Sequence, residues 1–583
     1  MVSVNDFSFL IGGEAGAGIS RSGSLFAKAC MRGGLSVFGT NDYQSLIRGG
    51  HNFYIVKVSA EHVHCHPDLI SLVIALNAET VMMHKDELTP NGGIIYDQED
   101  ANLTAEKLER LDVKLFPIPL KSIVREELKG EPIMRNTVAL GAAIAVTNYD
   151  LTLLEEVLKD TFKAEVAESN INAVRIGYSY AKDSFPNDFT YKLKRNSDNR
   201  PKIFLSGNEA MGLGAIKAGC KFFACYPMTP TTGLLHFMAE NERQQQMIVI
   251  QPEGEIAAAN MVVGAAYAGV RAMTATSGGG FCLMTEAFGL AGMTETPIVI
   301  MLGQRPGPST GLPTYSAQGD LRFALHAGQG EFPRVVIAPG DTEECFYETM
   351  RAFNWAEKYQ LPVILLTDKY LVESERSVEP FDQGRVRIER GDLINEKYDN
   401  SEEYKRLKFT ETGVSPRIVP SAKNAVARVT GDEHTEYGFT SEDPQITANM
   451  NEKRMRKLSF LANELKDRNI ETTKFYGPDQ ATATVVSLGS TKGPIMEAMR
   501  LLDRESIETN YLQIIYLMPF PTSRVQNVLS NAKKTIIVEN NMTSQLSGLI
   551  QEYISSPVDH KILKYDGRPF NAAILANRIK EAL

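Results

Sequence analysis

Thiols are scarce in this sequence: six cysteines stand in 583 residues, beside a single tryptophan. Cys30, Cys65, Cys220, Cys225, Cys282 and Cys345 are too sparse to staple a disulfide scaffold. They also argue against an iron–sulfur cluster held by this chain, because such clusters usually take four thiolates close in sequence. The one near pair, Cys220 and Cys225, has no second pair to match it. Long apolar runs are missing as well, none reaching the roughly 18 residues of a membrane helix. There is no basic excess: 61 Lys and Arg face 71 Asp and Glu, a formal charge of −10, which leaves little to neutralise a nucleic-acid backbone. The opening residues, MVSVNDFSFLIGG, lack the basic flank of a secretory signal and carry Asp6. They read as the first strand of a cytoplasmic protein.

What remains is an ordinary globular mixture, 43% hydrophobic and 23% charged, which removes disordered, collagen-like and coiled-coil classes. At roughly 150 residues per domain the length suggests about four parts. Residues 1–185 begin with an apolar strand at Phe7–Ile11, the loop GGEAGAG, and a helical stretch that stops at Gly33-Gly34. Strand-like segments then alternate with helical ones, the pattern of a doubly wound sheet. Residues 186–201 are polar and read as a linker. From 202 to 385 the strands are short and apolar throughout, which predicts parallel strands covered on both faces. Residues 386–478 are charged and read as a long connection with one amphipathic helix, packed over other parts. Strand–helix alternation returns in 479–583 as a small third domain. The expected fold class is therefore multidomain α/β, built of parallel-sheet domains.

Several places can carry chemistry. The glycine-rich turn Gly12–Gly18 lets backbone N–H groups approach a phosphate, or marks tight packing; no acid can be placed about 20 residues on to read a ribose. Ser45–Asn52 places Arg48 in a flexible backbone, suited to an anion or to a plain turn. His62, His64 and His66 alternate around Cys65 and would share one face of a strand, a polar edge more readily than a zinc site. The turn Cys225–Thr232 contains Tyr226, Pro227 and Thr229; its prolines fix the backbone, and Thr231 or Thr232 can cap the helix that follows. Glu255 opens a stretch, Ile256–Gly269, with no other charge, so the helix should be buried nearly all round, with a carboxylate at its first turn. Arg305 lies just past a strand end, where a guanidinium can clamp an anionic substrate.

The succession GGEAGAG, SLIRGGHN, GNEAMGLGAIKAG, CYPMTPTTG, EGEIAAANMVVGAAYAG, TATSGGGFCLMTEAFGLAG, QRPGPSTGLPT and VENN resembles the 2-oxoacid:ferredoxin oxidoreductases. Within them it is similar to the alpha subunit of the two-subunit type, with a gamma domain fused in front. The resemblance spans nearly the whole chain. It implies a gamma-like domain (1–185), a pyrimidine-type thiamine-diphosphate domain (202–385) and a transketolase C-terminal-like domain (479–583). The implied active site is divided between subunits. A beta subunit would supply the diphosphate site, Mg²⁺ and a [4Fe–4S] cluster, and this chain no metal ligand. The sequence itself fits that division, since no Gly-Asp is followed by Gly in the manner of a thiamine-diphosphate metal motif. By the same resemblance Glu255 hydrogen-bonds the aminopyrimidine, Tyr226 and Pro227 line the cofactor, and Thr229 and Arg305 hold the substrate carboxylate. The implied reaction is coenzyme A-dependent oxidative decarboxylation, 2-oxoglutarate ahead of pyruvate or a broad range, with electrons passed to ferredoxin. The implied assembly is a dimer of alpha–beta heterodimers. Met228 and Thr231-Thr232 depart from the usual Ile and Ser-Ser, and Tyr315 stands where some relatives have a basic residue. A non-catalytic scaffold or regulator and a non-oxidative thiamine-diphosphate enzyme are the competing readings.

Overall fold

A computed structural model describes residues 3–45, 49–99, 103–196, 200–394, 396–398 and 402–583. The chain forms two compact units. The first comprises Met1–Leu205 with Ser374–Pro380 and Asn571–Ile574. Its central strand is Asp6–Glu14, whose residues 7 to 13 are all buried, as a strand covered on both faces requires. On one side it pairs in parallel with Ile70–Ala75, followed outward by Leu88–Asp97 and Lys114–Ile118. On the other it pairs antiparallel with His51–Ser59, which pairs antiparallel with Ser36–Asp42. Glu375–Val378 and Ile203–Ser206 complete an eight-stranded sheet among the described residues.

This sheet is thus mixed, and the antiparallel ribbon is a feature that strand–helix alternation did not separate from the doubly wound half. Its cause is the connection: residues 43–50 are fewer than the dozen or so a parallel crossover needs. The stretch 186–201, expected as a linker, instead belongs to the first unit. Phe189 and Leu193 are buried in its core, and Tyr191–Lys192 pairs in parallel with Ser3–Val4. The apolar side chains drive that docking, despite the polar residues around them. His62, His64 and His66 lie in irregular chain rather than on a strand. The first two rings meet edge to face at 4.6 Å, and no group of three or more metal-ligating side chains gathers among the described residues.

The second unit comprises Ser206–Glu373, Phe381–Phe570 and Leu575–Leu583. Six strands run parallel in the order Ile248–Ile250, Phe222–Ala224, Ala272–Thr276, Val299–Gln304, Val363–Asp368, Val335–Ile337, and Tyr516–Met518 closes the edge antiparallel. Every residue of Ala272–Thr276, Val299–Gln304 and Val363–Asp368 is buried, matching the apolar character read from sequence. A five-stranded sheet, Thr473–Tyr476, Thr509–Ile514, Ala483–Ser487, Thr535–Glu539 and His560–Leu563, has its own core around Ile495, Tyr511 and Leu575. A second cluster runs from Ala224 and Phe281 through Ile364 to Val486, Leu512 and Leu549, so the two sheets share one hydrophobic interior.

The charged segment between them uses its charges inside the unit. Asp443 caps the helix Pro444–Asp467, accepting from Gln445 and Ile446 N–H groups with Pro444 in the first turn. Lys453 and Lys457 of that helix both reach the buried Glu295 carboxylate, at 2.6 and 2.5 Å. Arg417 and Arg271 converge on the buried Glu357, each at 2.7 Å. Buried charges survive only when paired in this way. No helix among the described residues is long and apolar enough to cross a membrane.

Candidate functional site

The site lies at the carboxyl edge of the six parallel strands, where ligands of open α/β sheets bind. Strand Phe222–Ala224 ends in Cys225, whose thiol donates to the Ala275 carbonyl at 3.1 Å and is pushed up to about 12 by burial. The chain then turns through Tyr226, Pro227, Met228 and Thr229 into a cis Thr229–Pro230 bond. Thr231 closes the turn by donating both N–H and hydroxyl to the Met228 carbonyl, each at 2.9 Å. Its hydroxyl therefore ties the loop and does not cap the helix Thr232–Gln245, contrary to expectation. Asn208, from the GNEAMGLGAIKAG motif, braces the turn by donating to the Pro230 carbonyl at 3.0 Å. Tyr226 is exposed; Pro227 and Thr229 are half-buried.

Glu255 is the first residue of the helix Glu255–Tyr267 and is 5% exposed. The neighbouring helix, Gly278–Met293, begins beside it. A side-chain carbon at Gly280 would stand 2.7 Å from Glu255 Oε1 and overlap Thr276 Oγ1, so only glycine lets the carboxylate lie there. Two helix N-termini face this acid, a setting that favours negative charge. Among the described residues no donor reaches the Glu255 carboxylate, and the buried Ser277 hydroxyl at the head of the second helix is also without a partner. An acid this sheltered, with no protein donor on it, is open to a hydrogen bond from whatever enters beside it.

The helix itself is not buried all round. Its inward stripe, Ala258, Ala259, Val262, Val263 and Ala266, packs into the core, while Ile256 and Met261 are 57% and 39% exposed. The sheet covers one side of the helix only, so the uniform apolarity that suggested full burial leaves a bare face. On the adjacent helix, Leu283 is likewise 52% exposed.

Arg305 follows strand Val299–Gln304, is half-buried, and donates from Nη1 to the Thr229 carbonyl at 2.9 Å. The structure thus brings Thr229 and Arg305 together, and joins them to Glu255 through the start of the Gly278 helix. Thr276 donates to Met228 Sδ at 3.8 Å on one side. On the other, the Asp320 carboxylate would touch a side-chain carbon at Gly278, at 2.6 Å. Asp320 follows Gly319 and belongs to one of the Gly-Asp pairs that no Gly follows. Burial pushes its carboxyl up to about 6, with Arg305 opposing the rise, and its N–H donates to Gln304 Oε1 at 2.9 Å.

In the first unit, Gly16 and Gly18 adopt φ of 86° and 74° ahead of the helix Ile19–Arg32. Beside this loop the buried His51 shares a 2.9 Å ring-nitrogen contact with His84, which bonds Glu87 at 2.6 Å. This trio was not singled out from sequence, because His51 lies 33 residues before His84 and its neighbour Glu87. Arg48 lies outside the described residues.

A nearly buried acid and a braced proline turn thus stand together at the carboxyl edge of a parallel sheet, and the comparisons name the class of domain. Residues 213–452 match the family described as "Pyruvate flavodoxin/ferredoxin oxidoreductase, thiamine diP-bdg". Residues 8–180 and 481–571 match "Pyruvate ferredoxin/flavodoxin oxidoreductase" and "Pyruvate:ferredoxin oxidoreductase core domain II". The chain is 32% identical to the alpha subunit of 2-oxoacid:ferredoxin oxidoreductase 2 of Aeropyrum pernix, over 99% of this chain and 98% of that one. It is 34% identical to the corresponding alpha subunit of a Sulfolobus species, over 99% and 96%. Its structure superposes with a TM-score of 0.90 and 33% identity, over 99% of both chains, on the 2-oxoglutarate:ferredoxin oxidoreductase from Magnetococcus marinus solved with 2-oxoglutarate, coenzyme A and succinyl-CoA. The chain belongs to the alpha subunits of the 2-oxoacid:ferredoxin oxidoreductases.

Proposed function

We propose that this chain, with a separate beta subunit, converts a 2-oxoacid, coenzyme A and two oxidised ferredoxins to acyl-coenzyme A, CO₂, two reduced ferredoxins and a proton. The favoured substrate is 2-oxoglutarate, with pyruvate or a broader range next. Support for that choice comes from the Magnetococcus marinus relative and from a 2-oxoglutarate synthase subunit of Methanothermobacter thermautotrophicus, 34% identical over 58% of this chain. The single observation that carries the reading is the Glu255 carboxylate, nearly buried, unpartnered and cradled against Gly280.

That cradle fits the aminopyrimidine of thiamine diphosphate, a flat ring whose nitrogen can take up the missing hydrogen bond. When bound, the cofactor supplies the carbon nucleophile and electron sink that 2-oxoacid cleavage requires. Glu255 holds a proton at the pyrimidine nitrogen, and shielding from water strengthens that bond. Tyr226 and Pro227 line the ring. The Thr229 hydroxyl and the Arg305 guanidinium hold the substrate carboxylate, Arg305 itself being steadied by the Thr229 carbonyl.

The diphosphate, Mg²⁺ and the [4Fe–4S] cluster fall to the beta subunit. Five of this chain's cysteines are buried, and burial pushes Cys220 and Cys225 each up to about 12, far from thiolate ligands. The bare apolar face of Ile256, Met261 and Leu283 beside Glu255 suits a partner surface. A dimer of such heterodimers is the expected assembly. In the purified complex, Glu255→Ala should lower viologen reduction by roughly 10²–10⁴-fold, the usual worth of a positioned acid or base. Near-normal turnover would refute the assignment.

A further inference from the structure

The helix Gly278–Met293 opens on three glycines, and each lets a different oxygen come close. A side-chain carbon at Gly278 would stand 2.6 Å from Asp320 Oδ2, one at Gly279 3.9 Å from the Ser309 carbonyl, and one at Gly280 2.7 Å from Glu255 Oε1. Asp320 therefore shares the head of this helix with the acid of the proposed cofactor site. Its backbone is pinned there. The Asp320 N–H donates to Gln304 Oε1 at 2.9 Å, and Gln304 Nε2 donates to the Thr367 carbonyl at 3.1 Å. Gln545 Nε2 donates to the preceding Gly319 carbonyl at 2.7 Å. Gln304 is also the residue before Arg305, so the loop that leaves with the guanidinium brings the carboxylate back to the same strand end.

The two charges stand near each other without pairing. Arg305 Nη1 is engaged by the Thr229 carbonyl, and among the described residues neither its other N–H groups nor the Asp320 carboxylate has a hydrogen-bond partner. The field of Arg305 nevertheless reaches Asp320, where it opposes the rise to about 6 that burial causes. The other charged groups around Asp320 are engaged elsewhere. Arg322 pairs with Glu552 at 2.6 Å, Asp368 accepts from Gln318 and the Leu371 N–H, and Glu539 accepts from the Leu546 and Ser547 N–H groups. The Gly278 helix carries no charge before Glu286, and the Thr229 turn offers only the Cys225 thiol, bonded to Ala275, and Tyr226 as titratable groups. Glu255 lies at Gly280. A substrate carboxylate at Arg305 adds a negative charge to this space, which favours the protonated form of a neighbouring acid. We propose that Asp320 is a positioning residue acting through Arg305: it takes up a proton as the 2-oxoacid carboxylate binds, and its ionised form loosens that binding. This rests on the proposed reaction and adds a proton linkage to its substrate site.

The test measures kcat and KM between about pH 5.5 and 8 in the wild-type complex, Asp320→Asn and Asp320→Glu, on each of 2-oxoglutarate, pyruvate and 2-oxobutanoate that the complex oxidises. Below about pH 6 the acid already holds its proton; above it, binding must draw one from solvent. Wild-type KM should therefore rise roughly tenfold from the acid to the alkaline end, the effect of a coupling of about one pKa unit, with kcat moving less. In Asp320→Asn, KM should stay near the acid value of the wild type throughout, so that at about pH 8 the variant holds substrate more tightly than the wild type does. Asp320→Glu should keep the slope. Every substrate should behave alike, because the linkage acts on the carboxylate they share. A slope that persists in Asp320→Asn, a KM above that of the wild type at the alkaline end, or loss of turnover in that variant would each overturn the inference. A wild-type complex that oxidises 2-oxoacids with a KM flat over this range refutes it alone. One that oxidises no 2-oxoacid refutes the underlying reaction.

Discussion

Asp320 shows how much one side chain's surroundings decide. Its carboxyl sits between the head of the Gly278 helix and Arg305, and burial outweighs the attraction of Arg305, so it rises from 3.8 to about 6. In the unfolded chain it titrates as an ordinary acid. Between about pH 4 and 6 the folded protein therefore holds a proton that the unfolded chain gives up, and folding is weakened as pH rises through that window. Asp320→Asn keeps the shape and removes the titration. Its urea midpoint relative to wild type should climb from pH 4 to pH 6 and then level off. A difference that is flat with pH would show that Asp320 is charged and comfortable throughout. Glu255 was legible from sequence because it is the lone charge at the start of an alanine-rich run. Asp320 was not, since nothing near it in sequence announces the arginine and helix terminus that surround it. The capping roles assigned to Thr231 and Thr232 failed for a related reason: a competing acceptor, the Met228 carbonyl, lies three residues back and takes the Thr231 hydroxyl first.

At the scale of elements, the parallel core of the second unit was readable because strands such as VIMLGQ and VILLTD are apolar at every position. The ribbon Ser36–Asp42 with His51–Ser59 was not, because direction is set by the connection rather than by composition. VENN is explained by packing: Glu539 accepts from the N–H groups of Leu546 and Ser547, at 2.8 and 3.1 Å, and so seats the helix Gln545–Ile554. Helix Met134–Val146 and helix Ala164–Ser184 of the first unit meet backbone to backbone, where a side-chain carbon on Gly141 would overlap the Val174 carbonyl and one on Gly177 the Val138 carbonyl. Intrinsic propensity favours Ala over Gly in a helix by about 1 kcal/mol. Overlap with a backbone carbonyl cannot be relieved by a rotamer change, and overpacking costs about 1–3 kcal/mol. Gly177→Ala should therefore be net destabilising, read as a lowered urea midpoint with unchanged slope. A raised midpoint would mean that the two helices separate at little cost.

For the whole molecule, the central fact is an apolar surface that the chain does not cover by itself. Ile256, Met261 and Leu283 stand 57, 39 and 52% exposed on two adjacent helices whose first turns hold Glu255 and Gly280. Isolated exposed apolar residues are common, but a group of them beside the proposed cofactor site suits a partner surface. Cys282 lies next to Leu283 and is the exposed cysteine of the six. It reports on that face directly, because the other five thiols are buried and react slowly. In the chain alone, Cys282 should be the first thiol alkylated, on a timescale set by the reagent. Once the beta subunit is bound, the same residue should be protected, while modification made beforehand should hinder assembly. Mass mapping of the alkylated cysteine with and without the partner measures both effects. Equal labelling of Cys282 in the free and assembled states would place the partner on another face, and would leave the Glu255 cradle without the second wall that a shared cofactor needs.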